Sequence, residues 1–386
     1  MRSVLIIICY LLGMQLFAQP LERVLPEQAG IDTHRLHYAD SAILQAIYDG
    51  EIPGAVLAVV RKGKMAYMKA YGNKQIYPSQ APMETNTVFD IASVSKSVST
   101  AVAVMILVER GLLRFNDRAN IYIPDFQGNI RIIDMLTHTS GLPPYASVDS
   151  LTRRFGAPNP DGLIEYISTC SRDFDTGNDF QYSCLNYIAL QRIIETISGQ
   201  RLEDFAQENI FDVLNLKSTT YRPSEETVER VAPTEKQEDG SLLHGIVHDP
   251  LARIMNDGNS GNAGVFSDAD DLAILATALL NGGTYNGKRI LSPLGVKAMT
   301  TVPESLKRFG RTPGWDSFSA YASNRGDLLS ASTYGHTGYT GTSLVIDPDN
   351  DLAIILLANR AHPDDTGSAV RLRAVVANAV AAAIIH

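Results

Sequence analysis

Ser93-Val94-Ser95-Lys96 sets a hydroxyl and an amine three residues apart. On a helix that spacing puts both side chains on one face, within reach of each other. A serine hydroxyl is a poor nucleophile until something takes its proton, and an unprotonated lysine amine can do so. Poor solvation and the positive end of a helix dipole both disfavour an ammonium, and the same dipole favours a developing alkoxide. No other lysine of the chain has a serine three residues before it. Two further segments carry groups able to join such a pair. One is Tyr182-Ser183-Cys184, whose phenol can relay protons beside a lysine. The other is Gly335-His336-Thr337-Gly338-Tyr339-Thr340-Gly341, whose glycines admit a substrate close to the backbone and whose N–H groups can face a carbonyl oxygen. Taken singly, each has a plain alternative: a chance tetrapeptide, a core tyrosine, a glycine-rich hairpin entry.

Other catalytic patterns are missing from the sequence, which has no GxSxG, HExxH, GxGxxG or P-loop. His34 with His37, and His244 with His248, have spacings compatible with a metal. The first pair lies in a polar helix-like stretch and the second is interrupted by Gly245, so solvated or capping histidines are the expectation. The chemistry calls for neither metal nor organic cofactor.

The elements that must position these groups follow from hydrophobic patterning. Residues 93–113 are apolar nearly all round, as in a buried helix, and Lys96 falls in its first turn, where an unpaired lysine is expensive. Residues 54–60 and 65–71 flank the turn Arg61-Lys62-Gly63-Lys64, and residues 342–346 and 352–358 flank Asp347-Pro348-Asp349-Asn350. Loops this short imply antiparallel pairing. Residues 368–385 have helical spacing and are expected to pack on that sheet, and residues 186–199 and 268–282 are amphipathic. The stretch between is rich in short helices and Pro/Gly-punctuated loops. The expected fold is therefore α+β: an antiparallel sheet built from both chain ends and flanked by helices, with a mostly helical domain inserted. Residues 19–115 and 266–386 would form the discontinuous sheet domain, and residues 116–265 the helical one.

Composition narrows the function classes. The 386 residues are 45% hydrophobic and 19% charged, enough for a sizeable core. Lys and Arg number 33 against 42 Asp and Glu, a net charge of −9 without a basic cluster. That balance disfavours nucleic-acid partners and polybasic membrane attachment. At the N-terminus, Met1-Arg2, an apolar run over residues 4–12, and Leu16-Phe17-Ala18 have the layout of a secretory signal peptide over residues 1–18. Cleavage would leave a periplasmic or secreted protein without stable membrane insertion; the alternative is an uncleaved anchor. Cys9 leaves with the leader. Cys170 and Cys184 then either pair in an oxidising compartment or serve as small buried side chains.

In this order, Ser93-x-x-Lys96, Tyr182-Ser183 and His336-Thr337-Gly338 resemble the motifs of the serine β-lactamase/DD-peptidase-like hydrolases. The similar branch holds class C β-lactamases, DD-carboxypeptidases and β-lactamase-like carboxylesterases. Residues 136–142, 263–267 and 357–360 look like that branch too, so the likeness spans residues 54–360. The resemblance implies a β-lactamase/transpeptidase-like fold and a covalent acyl-enzyme. It implies Ser93 as nucleophile, Lys96 as its proton partner and Tyr182 as the second acid/base residue. The backbone N–H groups of Ser93 and Tyr339 would form the oxyanion hole, and His336, Thr337, Gly338 and Cys184 would contact substrate. Two positions depart from the pattern. Cys184 stands where the family usually has asparagine, and thiols hydrogen-bond weakly. His336 stands where class C β-lactamases have lysine, and histidine is mostly neutral at pH 7. Carboxylic esters are therefore the first expectation, D-amino-acid peptides or other small amides the second and β-lactams the third. The competing expectation is a catalytically silent, penicillin-binding-protein-like receptor for cell-wall fragments.

Overall fold

The computed structural model describes residues 20–322 and 324–385. The signal-peptide reading of residues 1–18, and Cys9 with it, lies outside the described residues. The strands used below are β1 (Gly54–Arg61), β2 (Lys64–Gln75), β3 (Ala81–Pro82), β4 (Phe89–Asp90), β5 (Phe266–Ser267), β6 (Tyr334–Thr337), β7 (Ser343–Asp347) and β8 (Leu352–Ala358). The helices are α1 (Thr33–Tyr48), α2 (Val102–Glu109), α3 (Cys184–Ser198), α4 (Ala269–Leu280) and α5 (Val370–Ala382).

Six strands form one antiparallel sheet in the order β3-β2-β1-β8-β7-β6. The two expected hairpins supply its centre, and the pairing of β1 with β8 joins the two ends of the chain, from Ala55 opposite Ala358 to Arg61 opposite Leu352. The fold is α+β. Both faces are covered, which is why β1 and β8 are apolar at almost every position rather than alternating with polar residues. Ala55, Leu57 and Val59 point into a core with α1 and α5; Val56, Ala58 and Val60 point into a core shared with α2, α3 and α4.

Two boundaries differ from the expectation. The helix expected to run to residue 113 ends at Glu109, because Gly111 turns left-handed (φ 70°) and closes the C-terminus. Its first part, Lys96–Ala101, is π-wound rather than α-wound, a variant of helix winding that recurs at functional sites. The glycine-rich entry at residues 335–337 belongs to the edge strand β6. A Cβ on Gly335 would sit 2.5 Å from the Leu344 carbonyl oxygen, so only glycine allows β6 to lie this close to β7.

Leu57 is fully buried in the central strand. Leu57→Ala should lower unfolding free energy by about 2–5 kcal/mol. Chemical denaturation measures it, and a loss under about 1 kcal/mol would mean that this face of the sheet is not the packed core described.

Candidate active site

Ser93 sits on a tight turn between β4 and the buried helix. Ala92 just before it has φ 46°, a left-handed conformation that costs a non-glycine residue energy and clusters at functional turns. Asp90 holds this turn. Its Oδ1 accepts the Ala92 N–H at 2.8 Å and its Oδ2 accepts the His248 N–H at 2.7 Å. Burial pushes the Asp90 carboxyl above the usual carboxylate range, against the pull of those two N–H groups.

Lys96 is completely buried. Its Nζ lies 2.9 Å from Ser93 Oγ, 2.7 Å from the Asn262 carbonyl oxygen and 3.5 Å from Cys184 Sγ. The expected serine–lysine contact is therefore made, and Cys184 is its third neighbour. Burial raises the Cys184 thiol above its ordinary value, Lys96 opposing, so the sulfur faces the amine as a neutral thiol.

Tyr182 closes the group from the turn that precedes α3. Lys96 Nζ is 5.1 Å from its ring centroid. The ring stacks on Tyr321 at 4.6 Å and 5°, with His138 tilted against it at 4.5 Å. Its hydroxyl has no hydrogen-bond partner among the described residues, and Ser93 is the neighbour whose hydrogen-bonding capacity favours the phenolate. Desolvation dominates and pushes the phenol well above its ordinary value, so Tyr182 rests neutral. His138 fixes the turn: its Nδ1 accepts the Ser183 N–H at 3.1 Å, its carbonyl accepts the Gln181 N–H, and the Pro144 carbonyl accepts the Cys184 N–H.

Opposite lies the segment after β6. Thr340 Oγ1 donates to the Asp90 carbonyl at 2.8 Å and Thr342 Oγ1 to the Ile91 carbonyl at 3.0 Å, stitching this segment to the strand that leads into Ser93. The approach requires glycine at 338, where a Cβ would lie 2.5 Å from the Ile91 oxygen. Among the described residues, neither the Ser93 nor the Tyr339 backbone N–H has a hydrogen-bond partner. The two free donors border a cavity of about 640 Å³ lined by Ser93, Tyr182, Cys184, Thr337, Gly338 and Tyr339, and further by Tyr145, Ala263, Tyr321, Arg360 and Arg373.

Six of the seven expected site residues with a side-chain or backbone role on the cavity side thus converge on one place: Ser93, Tyr182, Cys184, Thr337, Gly338 and Tyr339 line the cavity, with Lys96 just behind. His336 does not reach it. Its side chain is 2% exposed, its Nδ1 faces the Thr337 carbonyl at 2.9 Å, and its ring lies 5.9 Å from that of Tyr182. Successive residues of a strand face opposite sides, so Thr337 facing the cavity turns His336 away from it. The expected substrate contact at His336 becomes a packing contact behind Tyr182.

Several residues were not singled out by type or spacing. Asp90, His138, Asn262 and Arg373 act through backbone groups, and Tyr321 through ring packing; the signal for Asp90 was its place two residues ahead of a tight turn. Cys170 and Cys184 are both free, Cys170 facing the Ile167 carbonyl and Cys184 facing Lys96. Of the histidine pairs, His37 faces the His34 carbonyl on α1, His244 faces the Val231 carbonyl at 3.0 Å, and His248 stacks on Tyr339 with its Nε2 3.2 Å from Glu235.

The sequence profile of the Beta-lactamase family matches residues 32–378. An N-acetylmuramyl-L-alanine amidase of Bacillus subtilis (strain 168) is 33% identical over 87% of this chain and 83% of its own. A putative D-alanyl-D-alanine carboxypeptidase of Escherichia coli (strain K12) is 32% identical over 87% of this chain and 85% of its own. Among solved structures, EstCE1, a hydrolase with promiscuous acyltransferase activity, superposes with a TM-score of 0.71 at 22% identity, covering 90% of this chain and 99% of its own. A class C beta-lactamase from Rhodobacter sphaeroides does so with a TM-score of 0.69 at 20% identity, covering 89% and 98%. These two share the β-lactamase/transpeptidase fold with this chain.

Removing the Asp90 carboxylate would leave two buried backbone N–H groups without an acceptor. Asp90→Ala is expected to destabilise by about 2–6 kcal/mol, at about 1–3 kcal/mol per orphaned group. An unchanged urea midpoint would show that the Ser93 turn does not depend on this carboxylate.

Proposed function

Because the chain belongs to the beta-lactamase family and is a serine hydrolase of that family, we propose that it is an exported enzyme that cleaves carboxylic esters and small amides or D-amino-acid peptides through an acyl-Ser93 intermediate. The observation that carries this reading is the 2.9 Å contact of Lys96 Nζ with Ser93 Oγ beside the neutral Tyr182 phenol. Lys96, as the free amine, takes the Ser93 proton while Oγ attacks the carbonyl carbon. The carbonyl oxygen becomes an oxyanion and is met by the N–H groups of Ser93 and Tyr339, a stabilisation worth about 3 kcal/mol per donor. When the tetrahedral species collapses, the bond to the leaving group breaks and the Tyr182 O–H protonates the departing alkoxide or amine. The proton on Lys96 then restores the phenol, so the serine proton ends on the leaving group. In deacylation the pair takes a proton from water, hydroxide adds to the acyl carbon, and Ser93 Oγ departs with the proton returned.

The substrate ranking has supports of its own. Cys184, a weak hydrogen-bonding group, lines the cavity where the family usually has an amide, which weakens selection for an acylamino side chain. His336, where class C β-lactamases have lysine, is turned away from the cavity and held neutral by burial and by Arg311, which leaves β-lactams last. Relatives named as an amidase and as a putative carboxypeptidase support amide cleavage. Export is supported by the leader pattern of residues 1–18. Among the described residues no helix is long and apolar enough to cross a membrane.

A fluorophosphonate probe should label the wild-type protein and leave Ser93→Ala unlabelled; equal labelling of both would remove Ser93 from the nucleophile role. Lys96→Ala and Tyr182→Phe should each lower kcat on a p-nitrophenyl ester by at least about 100-fold. Near-normal turnover in either would mean that the proton path runs elsewhere. Wild-type enzyme should turn over short-chain p-nitrophenyl esters far faster than a chromogenic cephalosporin, and the reverse order would overturn the substrate ranking.

A further inference from the structure

Arg373 enters the cavity wall from α5, and its Nη2 donates a hydrogen bond to the Gly338 carbonyl oxygen at 2.6 Å. That carbonyl and the Tyr339 N–H belong to one peptide group. The group is planar and trans, with C=O and N–H pointing opposite ways, so a donor anchored on the oxygen also fixes the direction of the hydrogen. Arg373 therefore grips, from its far side, the peptide whose N–H borders Ser93.

The arginine is 7% exposed and has no carboxylate within ion-pair distance among the described residues. Its Nε is likewise buried without a partner. An unpaired buried cation is costly, and burial with the nearby Arg360 brings its pKa down to about 10, still charged at neutral pH. Arg360 makes an instructive contrast. Its Nε donates to the Tyr339 carbonyl at 2.6 Å, but its charge is offset by Asp365 at 2.8 Å. The charge of Arg373 has no such offset and falls on the Gly338–Tyr339 peptide. A cation on a carbonyl oxygen draws electron density through the amide and strengthens its N–H as a donor, as in chains of mutually polarising hydrogen bonds.

We propose that Arg373 is a positioning residue for the oxyanion hole, orienting and polarising the Gly338–Tyr339 peptide so that the Tyr339 N–H stabilises the transition state. The inference rests on the reading of that N–H as an oxyanion donor in an acyl-enzyme mechanism. It does not require Arg373 to touch substrate.

The test compares wild type, Arg373→Met and Arg373→Lys on two p-nitrophenyl esters, a neutral butyrate and a succinate half-ester carrying a carboxylate. Rates are expressed per active site titrated by the fluorophosphonate, so misfolded protein reduces the titrated fraction and not the rate constant. Arg373→Met should lower kcat by about 10- to 100-fold on both esters, with KM changed less than about threefold. The inhibition constant of phenylboronic acid, which forms a tetrahedral adduct on serine, should rise by the same factor as kcat/KM falls. Arg373→Lys should recover part of the loss, since an ammonium still reaches a carbonyl but without the planar fork. A loss confined to KM for the succinate ester would make Arg373 a carboxylate-binding residue and overturn the inference, as would unchanged kcat per site in both variants. Absence of labelling in the wild type would instead defeat the acyl-enzyme reading itself.

Discussion

The site is organised by a lysine side chain with no surface left in water. Lys96 is enclosed, and no carboxylate lies within ion-pair distance of it among the described residues. A polar head in that position is tolerable only where strong acceptors are already in place. The strongest is the Asn262 carbonyl, and much of the surrounding polar network exists to hold it. Gln191 on α3 donates to the Asn259 carbonyl at 2.8 Å and accepts from the Gly261 N–H at 3.0 Å and from Asn256 at 2.9 Å. Thr100, one turn beyond Lys96, donates to the Gly261 carbonyl at 2.8 Å. The loop is thereby tied both to α3 and to the helix that carries the lysine. A buried network of this kind, once satisfied, is rigid, and its rigidity keeps Nζ within 2.9 Å of Ser93 Oγ.

Electrostatics then sorts the remaining side chains. Lys96 and Arg311 lie near the Tyr182 ring, with Arg311 paired to Asp316 at 2.8 Å. Burial first, and the Arg311 charge second, push His138 and His336 well below the ordinary histidine range. Both are consequently neutral, which lets His138 Nδ1 accept the Ser183 N–H. The tyrosine turn is thus held by a group whose acceptor role depends first on its burial. Tyr182 itself is kept protonated by desolvation and is held in a stack with Tyr321.

The second half of the machinery is backbone. The segment from Gly338 to Thr342 is fastened to Asp90 and Ile91 by threonine hydroxyls, and its peptides are held from behind by Arg360 and Arg373. Sheet and nucleophile helix meet at this seam. Among the described residues, the N–H groups of Ser93 and Tyr339 are left there without a partner.

The local features were legible in the amino-acid sequence. The Ser93–Lys96 pairing is a matter of helical period, the hairpins around residues 61–64 and 347–350 are announced by their turn residues, and the apolar runs of β1 and β8 mark a sheet covered on both faces. The convergence of Tyr182 and the 335–341 segment on Ser93 was inferred from resemblance rather than from periodicity, and His336 was misplaced because the start of β6, and hence which residue faces the cavity, was not visible in a glycine-rich run. Tertiary structure alone decided the supports. Lys96 meets Asn262 across 166 residues, Asp90 meets His248 across 158, and Arg373 meets Gly338 across 35. Each of these contacts ends on a backbone N–H or carbonyl, a group that every residue type offers alike. A sequence records which side chains are available, but which peptide groups come to face them is settled only when the chain packs.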